Sequence, residues 1–158
     1  MPICIIPVDT RADAAFGVAA LIVDRRDNMD WKYKIDVVEQ NVFSKIEKKY
    51  GITISEELRA LILMANAATP SKYNFLLGTT EKVFGAILSF NEGETGTDTV
   101  YTALSTIEDK SLVPFAIDPF GNYICYSNND DKVVFWDHET SGIISTGKGL
   151  SAFLDSLY

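Results

Sequence analysis

Very little of the usual catalytic apparatus is present. Histidine occurs once, at His138, and cysteine twice, at Cys4 and Cys125, in 158 residues. A Ser-His-Asp or Cys-His arrangement would have to use that one imidazole. Its neighbours Asp137 and Glu139 alternate to the opposite side of an extended segment, so they orient it poorly. A polar residue at a strand end is the simpler reading of His138. Two cysteines without a C-x-x-C pair exclude a secreted disulfide framework. Cys125, inside the apolar run Tyr123–Tyr126, reads as a small buried hydrophobe, and a reducing cytoplasm is the compartment this predicts.

Other absences narrow the field further. No apolar run approaches the roughly twenty residues that cross a bilayer. Ala14–Val23 is apolar for ten residues, but acids precede it and Asp24-Arg25-Arg26-Asp27 follows at once, which is wrong for a signal peptide. Residues 1–28 are therefore read as an extension of uncertain attachment, and 29–158 as the folded domain. The Gly142–Gly149 segment lacks the Lys-Ser or Lys-Thr step of a phosphate loop. Asp118, Asn122, Asn129, Asp130 and Asp131 do not match calcium-loop spacing, and turn formation accounts for all of them. Paired carboxylates for glycoside chemistry cannot be singled out among so many acids. The expectation is a protein without cofactor, metal or catalytic centre.

Basic residues are also scarce. Lys and Arg number 14 against 22 Asp and Glu, a net of −8. The deficit is local: residues 81–158 hold four Lys against twelve acids, while 29–80 are nearly balanced. Such a surface repels nucleic acid phosphates and attracts a basic partner, if it is more than a solubilising coat.

What remains is an ordinary globular composition, 47% hydrophobic and 11% aromatic, enough for a core without staples. Ile35, Val38, Val42, Ile46 and Tyr50 recur at helical spacing, and Gly51 closes that helix. Ser55 caps a second, with Glu56 and Glu57 at its positive end and Leu58, Leu61, Ile62 and Ala65 as its stripe. From Tyr73 the period changes. Lys82–Phe90 reads as a strand and Asp98–Ser105 as a short helix. Leu112–Ile117 and Tyr123–Tyr126 read as strands around the turn Asp118–Asn122. Lys132–His138 and Ile143–Ser145 are two more, and Leu150, Phe153, Leu154 and Leu157 mark a last helix. Like elements in runs argue an α+β fold: N-terminal helices on one face of a mainly antiparallel sheet, closed by a C-terminal helix, with the other face partly open.

The ordered set of segments resembles a known family. Ile46–Gly51 followed by Ile54–Leu58, Met64–Pro70, Val83–Gly85 with Ile87–Phe90, Leu112–Ala116, Gly121–Tyr126, Val133–Glu139 and Ser151–Leu154 are similar, in order, to the SUKH superfamily. This is a set of bacterial toxin-immunity domains related to a fungal cell-wall-synthesis regulator. One departure is Asn66-Ala67-Ala68, where the family usually has Asn-Gly-Gly; alanine takes positive φ less cheaply than glycine.

The resemblance implies a binding domain that neutralises a cognate protein toxin, and carries over no catalytic residue. A regulatory adaptor is the alternative it leaves. Acidic charge would speed encounter with a basic toxin such as a nuclease, and a few aromatic anchors would hold it. The candidate contact residues are Asp118, Phe120, Asp130, Asp131, Trp136, Asp137 and Glu139. Phe135, Tyr123 and Tyr126 are read as core, while Phe120 and Trp136 are open to either role. Neither direct nucleic acid binding nor membrane association is expected, and the chain is expected to be a monomer or weak homodimer.

Overall fold

The computed structural model describes residues 29–158; the readings of Cys4, Ala14–Val23 and the rest of 1–28 lie outside them. Helix α1 spans Val42–Tyr50 and ends at Gly51, whose φ of 70° suits glycine and whose N–H donates to Glu47 O. The stripe expected from Ile35 starts too early. Residues 35–38 give their backbone groups to two asparagine side chains instead of to a helix. Asn66 Nδ2 donates to Ile35 O (2.8 Å), Asn91 Nδ2 to Asp36 O (2.9 Å), and Val38 N to Asn91 Oδ1 (3.0 Å). Ile35 N also donates to Asn66 O. Val38 consequently faces outward, 77% exposed. Upstream, β1 (Trp31–Lys32) pairs with β2 (Thr69–Pro70).

Helix α2 (Glu56–Ala65) follows expectation: Ser55 Oγ accepts from Leu58 N, two glutamates occupy the first turn, and Leu58, Leu61, Ile62 and Ala65 are buried. Its exit carries the alanine pair. Ala67 stands at φ +63°, the left-handed conformation that disfavours a Cβ.

The single strand expected over Lys82–Phe90 is two. β3 (Asn74–Leu77) and β4 (Thr80–Val83) form a separate antiparallel hairpin, and β5 (Ala86–Ile87) begins the main sheet. Gly85 makes the break. Its N–H donates to Ile117 O (3.0 Å), and a Cβ there would lie 2.7 Å from that oxygen. After α3 (Val100–Thr106) come β6 (Leu112–Ile117), β7 (Tyr123–Ser127), β8 (Lys132–Trp136) and β9 (Ile143–Ser145). The five strands run β5-β6-β7-β8-β9, all antiparallel, and α4 (Leu150–Asp155) closes the described fold. A bulge at Phe115 turns its carbonyl toward Leu88 N (2.9 Å), extending the β5 side of the sheet.

The α+β class stands, but the sheet is not open on one face. Every residue of β7 is buried, as are the centres of β6 and β8. On one side, Lys82 Nζ lies 4.9 Å above the Phe135 ring, while Phe153 of α4 packs on Phe75 and Phe84. On the other, α3 lies against β6, and the segment after it reaches Trp136. Two-sided cover explains why these strands read as nearly continuous apolar runs rather than alternating ones.

A candidate protein-docking surface

The antiparallel ladder decides which predicted contact residues meet. Tyr123 opposes Trp136 at one end of the β7–β8 pair, and Ser127 opposes Lys132 at the other. These ends are four residue steps apart, about 14 Å. Phe120, Asp137 and Glu139 belong to the first end; Asp130 and Asp131 belong to the second. The seven predicted residues therefore do not form one patch.

At the first end, Asp118 is a structural group rather than an exposed charge. It is 5% exposed. Its Oδ1 accepts from Phe120 N and Asn122 N, both at 2.8 Å, and its Oδ2 accepts from Asn122 Nδ2 at 2.9 Å. That last bond fixes the amide orientation. Asn122 Oδ1 then accepts from His138 N (3.0 Å) and from the His138 ring at Nδ1 (2.7 Å). An amide oxygen is an acceptor only, so the ring proton sits on Nδ1 and the neutral ring carries its lone pair on Nε2. The orienter of His138 is neither Asp137 nor Glu139 but Asn122, sixteen residues upstream and backed by Asp118. The turns β6–β7 and β8–β9 are joined through this chain of bonds. Within the first of these turns, held by the bond from its N–H to Asp118, Phe120 projects outward at 72% exposure.

Trp136 is 6% exposed and packs against Tyr123, ring centroids 5.8 Å apart. It is core in the main, yet it lines a cleft of about 280 Å³ with Ile143, Ile107, Glu108 and Asp109. Glu108 and Asp109 were not among the predicted contacts. They lie next to Trp136 only because the segment after α3 crosses the sheet, which no local pattern announces. Asp109 accepts from Ser111 Oγ (2.6 Å) and Ser111 N (2.9 Å), bonds that hold its carboxyl below the ordinary carboxylate value and keep it charged. Asp137 Oδ1 accepts from Glu139 N, which sets the β8–β9 turn and leaves Glu139 exposed. Ile143 and Ile144 of β9 are 47% and 54% exposed. Exposed Ile143 and Ile144 thus lie beside Asp137 and Glu139 at this end of the sheet, and the cleft brings Glu108 and Asp109 to Trp136 and Ile143 from the segment that enters β6.

The second end is tied to the helices. Asn128 Nδ2 donates to Thr53 O (2.7 Å), and Tyr126 Oη donates to Asp131 Oδ1 (3.1 Å). Burial, then that carboxylate, push the Tyr126 phenol up to about 12. Asp130 and Asp131 are exposed, but Phe120, Ile143 and Ile144 belong to the other end.

Nucleophile chemistry finds little support in Cys125. It is completely buried in β7, and burial pushes its thiol far up, away from the reactive thiolate. Among the described residues no group of three or more His, Cys, Asp or Glu side chains is arranged to hold a metal, and no described helix is long and apolar enough to cross a membrane.

Residues 38–156 match the model of the SMI1 / KNR4 family (SUKH-1). The chain belongs to that family. The resemblance read from the ordered segments is thereby confirmed across three quarters of the sequence, and the SMI1 / KNR4 match supports a protein as the partner. No curated protein matches the chain. The matched span contains both ends of the β7–β8 pair and all four described helices.

Proposed function

We propose that this SUKH-1 protein is a cytoplasmic immunity protein that binds a cognate, basic protein toxin one to one and neutralises it by occupying its surface. It performs no reaction of its own. The observation that carries this reading is the placement of charge beside exposed apolar groups: Glu108 and Asp109 line a cleft with Trp136 and Ile143, and Asp137 and Glu139 lie in the β8–β9 turn next to Ile143. Carboxylates so placed accelerate encounter with a basic protein, and the exposed Phe120, Ile143 and Ile144 supply the short-range grip. Nucleases are among the basic toxins that would fit. An adaptor in cell-wall regulation is the second reading, favoured by the SMI1 / KNR4 membership itself; it differs in binding several proteins rather than one.

The test is co-expression. The genes beside this one are searched for a large reading frame with a toxic C-terminal region, and that region is produced in a bacterial host with and without this chain. Restored growth together with a one-to-one complex in sedimentation supports immunity. Growth arrest that the chain does not relieve overturns it. Glu108→Lys combined with Glu139→Lys should slow association and flatten its salt dependence, while Asp130→Lys with Asp131→Lys, at the far end, should do so less. His138→Ala should leave protection intact.

A further inference from the structure

Strand β9 ends the main sheet, and no strand among the described residues pairs with its outer edge. The flanking bonds set the register. Asp137 N donates to Gly142 O and Thr146 N to Val133 O, both 2.9 Å. Two residues from each, Phe135 opposes Ile144, so this pair exchanges both ladder bonds. By the same alternation the N–H and C=O groups of Ile143 and Ser145 point away from β8. All three β9 residues are exposed. The edge carries neither proline nor an inward charge, two of the devices that normally blunt such edges.

The chemistry around this edge selects its occupant. Asp137 and Glu139 precede it, Glu108 and Asp109 line one cleft with Ile143, and Lys148 is the one cation following it closely. A second copy would bring like charge against like charge. We propose that β9 accepts an extended, lysine- or arginine-bearing segment of the protein partner as a sixth strand of the sheet. Backbone bonds to Ile143 and Ser145 would fix it, Ile143 and Ile144 would pack its apolar residues, and the carboxylates would hold its cations. The proposal rests on the protein-binding reading above and specifies how the partner is gripped.

The experiment needs no toxin, so its failure is distinct from failure of the immunity reading. The full chain is titrated with a blocked hexapeptide of alternating valine and lysine while backbone amide exchange is followed by NMR. Slowed exchange at Ile143 and Ser145, saturating with peptide, is expected. The same peptide with alternate backbone nitrogens methylated, and a valine–glutamate version, should each bind about tenfold more weakly or worse, since each loses ladder bonds or charge. Ile143→Pro, which removes an outward N–H, should weaken binding about as much; the methylated peptide makes the same point without altering the protein. Protection at other amides only, equal binding of the methylated peptide, or Ile143 and Ser145 amides already protected in the peptide-free chain would each overturn the proposal. If that prior protection depends on protein concentration, the occupant is a second copy.

Discussion

Asn122 stands between Asp118 and His138, donating to the carboxylate through Nδ2 and accepting from the imidazole and its backbone through Oδ1. Two bonds accepted by Asn122 Oδ1 thus join two turns that are not adjacent in sequence, and the bond to Asp118 holds the amide within the first of them. Asn122→Ala should cost about 2–3 kcal/mol of stability, because it strands a buried carboxylate oxygen as well as losing the bonds. Urea denaturation measures that loss. The ring gives a second signal: nitrogen NMR should place the proton of neutral His138 on Nδ1 in the natural protein and find mixed tautomers in the variant.

Glu47 closes the α1–α2 junction. Its Oε2 accepts from Ile54 N and Arg59 Nη2, both at 2.8 Å, and the Ile54 bond, then Arg59, hold its carboxyl below the ordinary 4.5. A depressed folded-state pKa stabilises the fold above the unfolded value, and that gain is lost as pH falls through the folded value. Glu47→Gln should therefore cost about 1–2 kcal/mol at pH 7. The gap between variant and natural protein should close below pH 4.5. Equal stability at neutral pH would sink this account.

The alanine pair at the end of α2 yields a contrast. Ala67 has φ +63°, whereas Ala68 is fully buried without a positive φ. Ala67→Gly should be neutral or stabilising by up to about 1 kcal/mol, since relief of the left-handed strain offsets the greater freedom of the unfolded glycine. Ala68→Gly should destabilise by about 1 kcal/mol or more. Thermal unfolding of the two variants side by side checks the order.

Gly85 tolerates no side chain. Its Cβ would meet a backbone oxygen, not the end of a flexible side chain. Gly85→Ala should cost roughly 2–3 kcal/mol and loosen the junction of β4 and β5. Faster exchange of the Gly85 amide, now bonded to Ile117 O, would report it.

These residues also show what one sequence can reveal. The α2 stripe, the Ser55 cap, the Asp118–Asn122 turn and strands β6 to β9 were legible because local propensity and tertiary burial agree there. The stripe at Ile35–Val38 misled because its backbone groups are claimed by Asn66 and Asn91, which only the fold brings near. Lys82–Phe90 looked like one strand because Gly85 marks its break through contact with a distant carbonyl, not through composition. The acidic half was read correctly as charge but not as place. Phe120, Asp137 and Glu139 share one end of the sheet, Asp130 and Asp131 the opposite one, and Asp118 serves its own turn. Glu108 and Asp109 escaped notice because nonlocal packing brings them to Trp136.

The clasp of Asn66 and Asn91 on residues 35–38 governs how this protein can be shortened. A fragment cut at position 38, where family similarity starts, would discard Ile35 O and Asp36 O and leave the Asn66 and Asn91 amides only their longer bonds, to Ser89 Oγ (3.5 Å) and Glu94 Oε1 (3.2 Å). It would also remove the strand that pairs with Thr69–Pro70. The homology boundary and the folding boundary are therefore different, and an expression fragment should begin no later than Met29.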